Sequence, residues 1–152
     1  MTGRSAYTKG PSARGVWETL MSYNLTFEQK ATYVHVTVIG QNSRETAALY
    51  VQEVLRECIA RNCDRLLLEE RLEGPRLPML DVFEIVTDIS KRALGRLKAI
   101  GYVDVNAAGD LMKFAETVAL NRSMPMRVFS TVAEAEKWLL SKESENPGLT
   151  AR

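Results

Sequence analysis

The chain has one histidine and two cysteines in 152 residues, and its formal net charge is only +1. Each scarcity excludes something. His35 has no second imidazole and no Ser or Cys motif beside it, so it is expected to be packed or paired rather than catalytic. Cys58 and Cys63 lie five positions apart near the end of one helical pattern. On a helix that spacing turns them roughly 140° apart, which suits neither a disulfide nor a shared metal. Two thiols used in this way fit a reducing cytoplasm and a core or helix-end role. The near-neutral charge gives no field that would draw nucleic acid. No stretch reaches the roughly 18 consecutive apolar residues that a membrane span needs.

Catalytic and cofactor motifs are missing as well. No His, Cys or carboxylate set is spaced for a metal. GYVDVNAAGD has two glycines but not the glycine-rich phosphate pattern. Glu69, Glu70 and Glu73 follow an apolar run, where α/β proteins often bind ligands. Neighbouring strand residues point to opposite faces, so Glu69 and Glu70 do not readily share a site, and the cluster is expected to be a solvated charged loop.

What is present is a βαβ pattern. YVHVTVIG is followed by the amphipathic QNSRETAALYVQEVLRECIARNC and then by DRLLLEE. A helical crossover of that length joins parallel strands, almost always with right-handed sense. Before it, SYNLTFEQ alternates Tyr23, Leu25 and Phe27 with polar residues and forms an antiparallel hairpin with the following strand. That second strand is β-branched throughout, as for a strand covered on both faces. Asn42 or Ser43 caps the central helix, with Glu45 favouring Asn42. Ala47, Ala48, Val51, Val54, Leu55, Cys58 and Ile59 make its apolar face.

Pro78 opens a second helix with Met79, Val82, Phe83, Val86 and Ile89 as its stripe, and a break near Gly95 is one way for it to end. A strand at Ile100–Val105, a helix from Asp110, a short strand at Met126–Phe129 and a helix capped by Thr131 and Glu134 complete the order. The fold class is α/β: one domain over residues 21–140 with a mostly parallel central sheet, an antiparallel edge hairpin and flanking helices. Residues 1–20 lack periodicity and a signal-peptide apolar region, and are expected to be a flexible tail. Met21 opens the first patterned segment and is a candidate natural start. Residues 141–152 are expected to be a second flexible tail.

The phrases LLLEERLEG and FAETVALNRSMPMRVFSTVAEAEKWLL, in this order of elements, resemble the STAS superfamily, and within it the SpoIIAA-like branch. The resemblance covers about residues 21–140. It implies a regulatory or protein-interaction module of a bacterial cytoplasm, one that can hold an apolar or nucleotide-like ligand. Anti-sigma antagonists of this superfamily carry a phosphorylated hydroxyl at the start of the helix after the third strand. Here that stretch is EGPRLPMLDVF, and no Ser, Thr or Tyr occurs from Asp64 to Val86. A phosphate switch at that helix start has no acceptor.

Two functions stay open. The first is a non-enzymatic interaction module that contacts another protein or a second copy of itself through Leu77, Met79, Leu80 and Asp81. The second is a carrier or sensor of a small apolar or lipid-like ligand held between the sheet and the helix beginning near Pro78. An enzyme ranks third, because no nucleophile, base or metal is recognisable, and no cofactor is expected. An apolar cavity favours the carrier; a solid core with an exposed Met79/Leu80 patch favours the module.

Overall fold

The computed structural model describes residues 6–9, 23–104 and 109–144. Among these residues six strands form one sheet in sequence order: β1 (Ala6–Lys9), β2 (Tyr23–Gln29), β3 (Val34–Gln41), β4 (Arg65–Glu73), β5 (Ala99–Asp104) and β6 (Met126–Phe129). The pairs β1–β2 and β2–β3 are antiparallel, and the other three are parallel. The helices are α1 (Arg44–Ala60), α2 (Met79–Arg92), α3 (Gly109–Asn121) and α4 (Val132–Ser144). The expected α/β domain is therefore observed. Ala6–Lys9 lies inside the stretch expected to be a tail, yet it pairs with β2; the rest of residues 1–22, including Trp17, falls outside the described residues. The last helix runs four residues past the expected boundary at 140, and 145–152 also lie outside.

Alternation along the strands divides the core in two. The first face carries Leu25, Phe27, Val34, Val36, Val38, Leu66, Leu68, Leu72, Ile100 and Met126, packed with residues of α1, α2 and α3. The second carries Leu67, Ala99 and Val103, which pack with Tyr33 and with Ala135 and Leu139 of α4. Only α4 covers this second face among the described helices, and it lies over β4, β5 and β6. This corrects the expectation for β3. Val34, Val36 and Val38 are fully buried, but Ile39 on the other side is 51% exposed, so β-branched composition here does not mean burial on both faces.

The helix starts are set locally. Ser43, not Asn42, caps α1: its hydroxyl accepts from Thr46 N at 3.0 Å. Asn42 is used elsewhere, donating its amide to the carbonyl of Pro75 at 2.9 Å. The buried residues of α1 are Thr46, Ala47, Tyr50, Val54, Leu55 and Cys58, a face rotated from the expected one so that Tyr50 is inside and Ile59 outside. Pro78 stands at the N-cap of α2, with no side-chain capping bond. After Arg92 the chain leaves helix, and Gly95 takes a left-handed φ of +75° that glycine adopts without strain. Thr131 Oγ1 accepts from Glu134 N at 3.2 Å, the donor–acceptor half of the expected capping box.

Candidate functional site

The register places β4 and β5 side by side so that Leu66, Leu68 and Glu70 stand opposite Ile100, Tyr102 and Asp104. All six project to the three-helix side of the sheet, because they share the parity of the first core face. Above them the helices do not close completely. A pocket of about 120 Å³ remains between the sheet and α1, α2 and α3. Its wall is aliphatic for most of its extent, with Val54, Leu68, Val82, Ile85, Ile100 and Ala115 among the lining side chains. An engineered cavity of about 150 Å³ lined in this way stays dry and admits benzene. The partly exposed Asn42, Arg76 and Leu77 also line it.

One end of the pocket is polar. Tyr50 from α1 donates its hydroxyl to Glu70 of β4. Tyr102 from β5 also bonds Glu70, as does Asp104. Arg76, in the loop after β4, reaches Asp104 Oδ2 through Nη2 at 2.7 Å. The Asp104 side chain is only 1% exposed, whereas that of Arg76 is 30% exposed, so the carboxylate is out of water and the guanidinium partly in it. Burial pushes the Glu70 carboxyl up to about 7, and the nearby Asp104 charge adds to it; the hydrogen bonds from Tyr50 and Tyr102 pull the other way. Both phenols are held well above their usual range, first by burial and then by the Glu70 charge. Burial opposes the charge of Arg76, but its bond to Asp104 outweighs this and shifts the group upward.

This cluster is what the sequence reading missed. Glu69 and Glu70 are strand residues, 6% and 7% exposed, not members of a solvated loop. The separation of the two onto opposite faces is as expected. Glu69 on the α4 side takes His35 Nε2 at 2.9 Å and Arg71 Nη2 at 2.6 Å. Burial raises this carboxyl, but the bonds from His35 and Arg71 outweigh it and leave it lower than usual. His35 is thus paired, as its isolation suggested.

The four expected contact residues divide. Leu77 is half-buried, packs against the first core and lines the pocket. Met79 and Leu80 are 52% and 66% exposed. Phe83 is exposed as well, with Arg122 stacked 4.9 Å from its ring centre, so the stripe expected on α2 is buried only at Val86 and Ile89. Asp81 takes Arg44 Nη1 at 3.0 Å, linking α2 to α1. Cys58 is buried, which pushes its thiol up to about 12, and Cys63 donates to the carbonyl of Arg65 at 3.2 Å. No group of three or more metal-binding side chains occurs among the described residues, and none of their helices is long and apolar enough to cross a membrane. A scan against protein-family models gives no match, and a search of curated proteins gives none either.

Proposed function

We propose that this chain is a carrier or sensor that binds a small, largely apolar molecule between the sheet and helices α1, α2 and α3. The observation behind this reading is the pocket of about 120 Å³, whose wall comes from residues that a closed core would have pressed together. Native proteins keep few voids of this size, since each forfeits packing contacts. The test is native mass spectrometry of the protein purified from its own cells, beside an Ala115→Leu variant that fills the pocket. A bound small molecule in the parent that is missing from the variant supports the reading. An empty parent that also ignores added toluene refutes it.

A second reading rests on Met79 and Leu80, exposed side by side at the start of α2. It is the STAS-like, SpoIIAA-like interaction module of a bacterial cytoplasm, working without a phosphorylated serine. Contact there would depend on apolar burial, at about 1–2 kcal/mol for each side chain covered. Replacing both residues with Ser and measuring self-association by sedimentation separates the two readings: the module loses association, the carrier keeps its ligand.

A further inference from the structure

Resting on that reading of the pocket, we infer that its ligand is an uncharged molecule carrying one hydrogen-bonding oxygen, a hydroxyl or a carbonyl, rather than an acid or an amine. The charges at the polar end are already balanced against each other. Asp104 is matched by Arg76 at 2.7 Å, and both groups lie largely inside the protein. Glu70 shares hydrogen bonds with Tyr50, Tyr102 and Asp104, and burial favours its neutral form. Among the described residues, Tyr50, Glu70, Arg76 and Tyr102 are the ionisable side chains that line the pocket; α2 and α3 contribute only apolar groups such as Val82, Ile85, Ile89, Leu111 and Met112. A carboxylate head would therefore lie beside Glu70 and Asp104 with no free cation to meet it. An ammonium head would lie beside Arg76. Either would be a buried charge without compensation, which is far costlier than a neutral polar group.

One donor is left over. The Nε of Arg76 is shielded from water and has no hydrogen-bond partner among the described residues. A buried N–H in that state is destabilising, and an acceptor that reaches it recovers the loss. The Arg76 side chain lines the pocket and is 30% exposed, so a small turn of the guanidinium can bring Nε toward the pocket. An oxygen on the end of an apolar body fits that donor without adding charge.

Four benzene derivatives that differ only in the head group test this: toluene, benzyl alcohol, benzoate and benzylammonium, titrated at pH 6 by calorimetry. Benzyl alcohol should bind roughly 2- to 10-fold tighter than toluene, the range of one net hydrogen bond. Benzoate and benzylammonium should each bind at least ~10-fold more weakly than benzyl alcohol. Arg76→Lys keeps a cation for Asp104 but has no Nε–H, so it should erase the advantage of benzyl alcohol over toluene. If toluene binds but the alcohol gains nothing, or a charged probe matches it, the head-group inference is overturned and the pocket reading stands. If none of the four binds, both fall.

Discussion

The two faces of the sheet are built to different tolerances. On the α4 side, helix and sheet touch closely: a Cβ added at Gly101 of β5 would meet Ala135 Cβ at 3.3 Å and Leu139 Cδ1 at 3.6 Å. Small residues at the crossing let one helix settle directly on β4 and β5. On the other side, three helices lean over the sheet, and bulky Tyr50 and Tyr102 stand at one end with a buried carboxylate cluster between them. There the packing leaves a pocket. On the tight face the buried Glu69 carboxylate is paired with His35 and Arg71, whereas on the loose face the polar groups satisfy each other at one end of a pocket. A fold can thus secure its sheet from one side and keep the other available for a ligand.

Truncations on the two sides should differ most. Leu67→Ala, on the α4 face, is expected to cost about 2–4 kcal/mol, because the tight surroundings cannot collapse into the space. Ile85→Ala, in the pocket wall, should cost nearer ~1–2 kcal/mol, since part of its surface already faces a void. Urea denaturation of both variants checks this, and equal losses would erase the distinction between the faces.

The polar end gives the loose face a pH signature opposite in sign to that of the tight face, where the bonds from His35 and Arg71 outweigh burial and hold Glu69 low. Glu70 is raised from 4.5 to about 7, so its contribution favours folding fully below pH 4.5 and fades as pH rises through 7. Raising the carboxyl from 4.5 to about 7 corresponds to about 3 kcal/mol lost between pH 4 and pH 8. Glu70→Gln keeps a neutral side chain and should flatten that slope, being more stable than the parent at pH 8. A parent and variant whose melting curves move in parallel with pH would mean that Glu70 does not titrate in this range.

Enlarging small residues should repeat the order of the truncations. Gly101→Ala forces α4 outward and is expected to cost about 1–2 kcal/mol. Ala115→Leu adds more atoms but has the pocket to receive them, so its effect should stay within about 1 kcal/mol of zero. Thermal unfolding of the pair decides it. A further effect concerns neither face: Ser43→Ala removes the cap of α1 and should cost about 1 kcal/mol, whereas Asn42→Ala leaves that cap in place.

Much of this architecture was legible in the chain. The βαβ centre, the hairpin and the last strand and helix follow from alternation, helical period and capping, all local properties. The pocket is not local. It depends on Tyr50 turning inward, which the apolar count on α1 hides because a tyrosine scores neither as core nor as surface. It also depends on register, which sets Glu70 beside Asp104 and Tyr102 from segments far apart in sequence. A run of acids after LLL looks like the end of a strand; only the neighbouring strand and the Arg76 loop make burial of Glu70 tolerable. Alternation did place Glu69 and Glu70 on opposite faces, and that was the signal available for seeing that one of them enters the core.

The most direct test of the central claim is a toluene titration followed by the methyl NMR signals of the parent and of Ala115→Leu. Binding in the pocket predicts saturable shifts at Val54, Leu68, Ile85 and Ile100, silence at Leu67 and Leu139, and loss of the response in the variant. Shifts spread equally over both faces, or a response that survives Ala115→Leu at full strength, would contradict it.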